Sequence, residues 1–133
     1  MKPLISVAIA TKNREKYCIE AIKSILAYKN SEIEIAVADN SATDEVKKFV
    51  ETINSPAIKY TYHGEDNISS IDNFNQAMDL TTGDYVILIG DDDSILPKIV
   101  EIAHWARENN IDSICSKDYL TYYWPNALDQ YPN

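Results

Sequence analysis

The chain has 133 residues, 45% of them hydrophobic and 25% charged, and its twelve basic and twenty-one acidic residues give a net charge of −9. That is enough chain for one domain that buries about two thirds of its unfolded surface, and the composition excludes a disordered tail, a collagen-like rod and a coiled coil. The acidic excess repels a phosphate backbone, which argues against a nucleic-acid module and invites cations instead.

The predicted elements alternate. Leu4 to Ala10 is apolar and rich in β-branched residues, as in a central strand covered on both faces. From Arg14 to about Tyr28 the period lengthens, with Ile19, Ile22, Ile25 and Leu26 on one helical face. Ile33 to Ala38 reads as a second buried strand. Val46, Phe49, Val50 and Ile53 then repeat at helical spacing behind a Ser41-x-x-Asp44 cap. Ile58 to Tyr62 alternates, which places this strand near a sheet edge. Ile71, Phe74 and Met78 mark the face of a short helix preceded by the cap candidates Ser69 and Ser70. Tyr85 to Ile89, the most apolar run, predicts a buried fourth strand. Pro97 opens a helix with Ile99, Ile102, Ala103 and Ala106 on one face, and a fifth strand is expected near Ser113 to Ser116.

Strict alternation predicts a three-layer α/β/α domain over residues 1–133 with a mostly parallel sheet. Crossover handedness builds the first three strands outward and returns the fourth beside the first. Ligands of such sheets bind outside the carboxyl ends of the strands, where the order reverses. Three polar segments fall on that rim: Thr11-Lys-Asn-Arg14, Asp39-Asn-Ser41 and Gly90-Asp-Asp-Asp93. Three adjacent aspartates repel one another unless something neutralises them. In extended backbone Asp91 and Asp93 point to one side, and Mg²⁺ takes one or two carboxylates while phosphates and water fill its other sites. The plainer alternative is an acidic turn that solvates itself at the positive end of the following helix.

These segments resemble, from about Ile5 to Ser116, the nucleotide-binding part of a family-2 glycosyltransferase of the GT-A fold. The shared features are Thr11, Asn13 and Arg14 after the first strand, and Asp39 and Asp44 after the second. Asn75 with Ala77, then Gly83-Asp-Tyr through Asp93 and Pro97, complete the set. The resemblance implies inverting, metal-dependent transfer of a sugar from a nucleotide diphosphate sugar, first of all a uridine diphosphate sugar, to a glycan or lipid-linked acceptor. It implies Mg²⁺ or Mn²⁺ held by Asp93 and Asp91. Asp39 would contact the base with Asn40 and Thr11 as neighbours, Asp91 would reach the ribose or metal-bound water, and Asn13 and Asp92 would belong to the same nucleotide-sugar site. Asn75 would shape the diphosphate or sugar pocket, or else make an ordinary helix-to-loop hydrogen bond.

The resemblance also implies that the acceptor half and the general base lie beyond Asn133, with Asp118 as a weaker candidate near the metal. The chain is therefore expected to be a shortened form. A non-catalytic nucleotide-sugar-binding or assembly module is the alternative. Tyr119, Tyr122, Tyr123, Trp124 and Tyr131 crowd the C-terminus, where they stack on a sugar or, more commonly, seal a surface against the missing half or a second copy. A phospho-accepting receiver domain is disfavoured, because acids are absent after the first strand.

Cys18 and Cys115 are too few and too far apart for a disulfide framework or zinc cluster, and are read as reduced, buried thiols. The run Leu4 to Ala10 is shorter than a signal-peptide core or a membrane span. The expected location is therefore cytoplasmic, with membrane association only through partners. Gly64, Gly83 and Gly90, the only glycines, form no dinucleotide fingerprint.

Overall fold

The computed structural model describes residues 2–64 and 68–115. Its elements run β1 (Ile5–Thr11), α1 (Glu15–Leu26), β2 (Ile33–Asp39), α2 (Glu45–Ile53), β3 (Ile58–Tyr62), α3 (Ser70–Asp79), β4 (Tyr85–Ile89) and α4 (Ile99–Glu108). The four strands are all parallel in the order β3-β2-β1-β4, so the order reverses between β1 and β4. β3 lies at an edge, as its alternation predicts. The last rung of the β1–β2 pair is Thr11 against Asp39, one residue beyond the apolar runs.

The two faces of the sheet are built from different side chains, and this decides how closely helices approach. Ile5, Val7 and Ile9 of β1 and Ile33, Ile35 and Val37 of β2 form one core with Cys18, Ile22 and Ile25 of α1, Val46 of α2 and Ala103 of α4. The alternate positions carry Ser6, Ala8 and Ala10 in β1 and Glu34, Ala36 and Ala38 in β2. Ala8 and Ala38, flanked by Ala10, form a shallow floor that meets Ala77 of α3. Helices on both faces make the three layers.

That floor corrects the expected face of α3. The helix buries Asn73 and Ala77, while Ile71, Phe74 and Met78 are 70%, 38% and 38% exposed. An alanine floor admits only short side chains, so the apolar stripe turns away from it. Ser69 does cap this helix, accepting the Asp72 N–H at 3.0 Å. Ser41 does not cap α2, whose N-cap is Asp44 paired to Lys48 at 2.8 Å.

The fourth strand is less buried than its composition implies. Val86 and Leu88 are 40% and 49% exposed. They pair in register with Ser6 and Ala8 and so share the face that α3 covers only over β1 and β2. Being the outermost strand on that side, β4 has one covered face among the described residues. The fifth strand is absent from residues 113–115, and Ser116 lies outside the described residues. Cys18 is buried, as expected, but Cys115 is exposed. Among the described residues no helix is long and apolar enough to cross a membrane.

Gly83 marks a close approach between the α3–β4 turn and β1. A Cβ there would stand 2.7 Å from the Ser6 backbone nitrogen and 2.9 Å from the Ile5 carbonyl carbon. Backbone cannot step aside as a side chain can. Gly83→Ala is expected to lower stability by about 1–3 kcal/mol, read as a shift of the urea midpoint without a change in slope.

Candidate active site

The three predicted rim segments meet, and hydrogen bonds hold them together. The Thr11 carbonyl accepts the Asn40 N–H at 3.0 Å and the Asn73 side-chain amide at 3.0 Å, which joins β1, the β2 loop and α3 at one atom. Asn13 has φ +56°, a left-handed conformation that asparagine tolerates better than most residues. Its N–H donates to the Ser41 hydroxyl at 2.9 Å, and its Oδ1 accepts the Ala42 N–H at 2.9 Å. Ser41 thus bridges two loops, while the N-cap position of α2 falls to Asp44.

Asp39 is fully buried at the end of β2. One carboxylate oxygen accepts the Ser41 N–H at 2.8 Å and the other the Tyr60 hydroxyl at 2.7 Å. Burial and the adjacent Asp39 carboxylate push the Tyr60 phenol far up, so it stays a donor. The Asn40 side-chain amide reaches the Gly64 carbonyl at 3.0 Å, closing the rim on the β3 side.

The aspartate triplet does not continue β4. The chain turns at Asp91 and Asp92, and Gly90 and Asp93 close the turn: the Asp93 N–H donates to the Gly90 carbonyl at 3.2 Å, and the Gly90 N–H to Asp93 Oδ2 at 3.1 Å. The extended arrangement expected of Asp91 and Asp93 is therefore replaced by a turn, in which Arg14 draws the carboxylates of Asp91 and Asp92 to one guanidinium. Asp91 is buried; it accepts the Thr11 hydroxyl on Oδ2 at 2.8 Å, and its Oδ1 pairs with Arg14 Nε at 2.8 Å. Arg14 reaches Asp92 as well, at 2.5 Å. Burial raises the Asp91 carboxyl above the usual range, with the Thr11 hydroxyl and Arg14 pulling against it. Against its own desolvation, Arg14 is held more firmly protonated by Asp91 and Asp92. Behind this corner the Tyr28 hydroxyl, from the turn after α1, donates to the Ile95 carbonyl at 2.6 Å and so braces the loop.

Among the described residues no three His, Cys, Asp or Glu side chains converge as a metal cage. The donor set suits a cation that takes only one or two carboxylates from the protein and the rest from a ligand's phosphates and water. Beside the corner lies a cleft of about 260 Å³ lined by Thr11, Lys12, Asn40, Ser69, Asn73 and Phe74, among others. Asn73 is buried, and its Oδ1 has no hydrogen-bond partner.

Of the residues singled out in the sequence, Thr11, Asn13, Asp39, Asn40, Asp91, Asp92 and Asp93 lie on this rim. Asn75 does not join them: it sits on the exposed side of α3, and the helix-to-loop hydrogen bond belongs to Asn73. Sequence reasoning missed Asn73, Tyr60 and the bridging part of Ser41. Asn73 stands four residues before Ala77 and shares its face, a signal visible only once the alanine floor is known. Asp118 and the aromatic cluster from Tyr119 to Tyr131 lie outside the described residues.

The chain is similar to known proteins over most of its length. The glycosyl transferase family 2 model matches residues 6–123. The chain is 32% identical over 138 aligned residues to an Escherichia coli protein provisionally named colanic acid biosynthesis glycosyl transferase WcaA, covering 98% of this chain and 49% of that one. It is 33% identical to the abequosyltransferase RfbV of Salmonella typhimurium, covering 82% of this chain and 34% of the relative. It is 31% identical to a Campylobacter jejuni GalNAc(5)-diNAcBac-PP-undecaprenol beta-1,3-glucosyltransferase, covering 71% and 31%. The chain thus spans about half the length of the first relative and about a third of the other two. With its parallel sheet, its strand-end rim and a family match over most of its length, the chain belongs to glycosyl transferase family 2.

Proposed function

We propose that this chain is the donor-binding part of a sugar transferase. It takes a nucleotide diphosphate sugar, a uridine diphosphate sugar first of all, and serves inverting transfer to a glycan or lipid-linked acceptor hydroxyl on the cytoplasmic side. The observation that supports this best is the rim itself: three strand-end loops tied to one another at the point where strand order reverses, with an aspartate triplet on one of them.

In this reading Asp93 and Asp91 hold Mg²⁺ or Mn²⁺, which offsets charge developing on the departing diphosphate. Thr11 fixes the orientation of Asp91 through its hydroxyl. Asp39, by holding Ser41 and Tyr60, sets the shape of the base end, where Asn40 and Asn13 lock the neighbouring loops. A direct contact from Asp39 to a base uses a remaining lone pair of a carboxylate already engaged twice. Asp91 also reaches the ribose or metal-bound water, with Asp92 next to it in the same turn.

A second reading is a nucleotide-sugar-binding module without turnover of its own. Titration with uridine, guanosine and deoxythymidine diphosphates, each with and without Mn²⁺, tests the first step, and release of free nucleotide with an acceptor tests the second. Cation-dependent binding of uridine diphosphate with release is the expected result. Binding without release selects the second reading, and no binding of any diphosphate sinks both.

A further inference from the structure

The acidic corner already contains a cation. Arg14 holds Asp91 through Nε and Asp92 through a terminal nitrogen, while Asp91, only 8% exposed, has its other oxygen on Thr11. A divalent cation that takes Asp91 shares the carboxylate with these partners and is repelled by the guanidinium, so it binds best where a partner withdraws. Thr11 cannot withdraw: it is 1% exposed, paired within β1, and its carbonyl is anchored by Asn40 and Asn73. Arg14 can, because its side chain is 45% exposed and long.

Its position makes the guanidinium depend on those carboxylates. Arg14 is the N-cap residue of the twelve-residue helix α1, the positive end of a helix dipole, where a cation is disfavoured. The Tyr17 ring lies 4.8 Å from Cζ and supports the side chain from the other side. A guanidinium released here needs a new anion, and a diphosphate arriving with the metal supplies one.

We propose that Arg14 is a displaceable counter-ion of the Asp91–Asp92 corner, so that a divalent cation and a nucleoside diphosphate bind synergistically. The inference rests on the cation and nucleotide reading given above. The cation alone competes with Arg14; with the diphosphate present, the released guanidinium is paired again. By linkage each ligand tightens the other by the same factor.

The test is Mn²⁺ binding to the full 133-residue chain followed by electron paramagnetic resonance, with and without saturating uridine diphosphate, in wild type, Arg14→Gln and Arg14→Lys. Arg14→Gln is expected to bind Mn²⁺ alone about fivefold or more tightly than wild type, and the factor by which the nucleotide tightens Mn²⁺ is expected to shrink correspondingly. Arg14→Lys, which keeps the charge but loses the fork, shifts the same way by less. It carries the test should Arg14→Gln not fold. If Arg14 only braced the loop, its removal would lower the melting temperature and leave Mn²⁺ affinity unchanged or weaker, which overturns the inference while wild type still binds cation and nucleotide. Absence of Mn²⁺ binding by every protein, nucleotide included, overturns the inference together with the reading beneath it.

Discussion

Alanine in place of Glu34 is expected to lower the free energy of unfolding by about 3 kcal/mol, the lower end of the range for breaking a buried ion pair, because Lys59 keeps some water. Glu34 lies near the start of β2 with its side chain 7% exposed. Its Oε1 accepts the Ser6 hydroxyl and the Thr82 N–H, and its Oε2 accepts the Thr82 hydroxyl at 2.9 Å and Lys59 at 3.1 Å. Ser6 in turn accepts the Gly83 N–H at 2.7 Å, so one carboxylate ties β1, β2, β3 and the α3–β4 turn together. Removal leaves donors unpaired at the floor of the sheet. Urea unfolding checks the number, and a loss below about 1 kcal/mol, no more than one ordinary hydrogen bond, would count against it.

The same residue gives a pH signature. Desolvation alone would raise its pKa, but the hydrogen bonds from Ser6, Thr82 and Lys59 win, so the folded carboxyl sits below the usual value. A lowered folded pKa means that the contribution is complete above the unfolded value of about 4.3 and is lost as pH falls through the folded one. Wild-type stability is therefore expected to fall more steeply than that of Glu34→Gln as pH drops from neutral through the carboxylate range. Parallel curves would show that the carboxylate charge contributes nothing there.

Replacing Asp93 by alanine is expected to remove the cation dependence of nucleotide binding, a loss on the order of 100-fold in the presence of Mn²⁺, with little change in stability. Asp93 is exposed, and its single turn-closing bond, Gly90 N–H to Oδ2, is worth about 1 kcal/mol or less. Asp91→Ala should differ in kind, because it also strips the acceptor from Thr11 and Arg14. Paired titrations with and without Mn²⁺, alongside melting curves, separate the two. Unchanged Mn²⁺ dependence in Asp93→Ala would remove Asp93 from the metal.

Much of this was legible residue by residue. The continuous apolar runs of β1 and β2 announced strands covered on both faces, and the polar ends Thr11, Asp39 and Asp91 fell on one rim because parallel strands share a direction. The order β3-β2-β1-β4 followed from connection rules. The acid triplet was read correctly as a strand end but wrongly as extended, because the turn that Gly90 and Asp93 close depends on their mutual hydrogen bonds.

Other features depended on distant partners. Periodicity located the apolar stripe of α3, but which face met the sheet was decided by Ala8 and Ala38, residues of two other elements. Asn73 rather than Asn75 faces Thr11 for the same reason. The sequence alone therefore determined the alternation of elements, the strand order and the chemistry gathered at the rim, because each follows from local periodicity and chain direction. Only the tertiary structure decided which helix face is buried and which partner each carboxylate takes, because those choices depend on side-chain size and hydrogen-bond geometry supplied from as far as eighty residues away in the chain, as between Thr11 and Asp91.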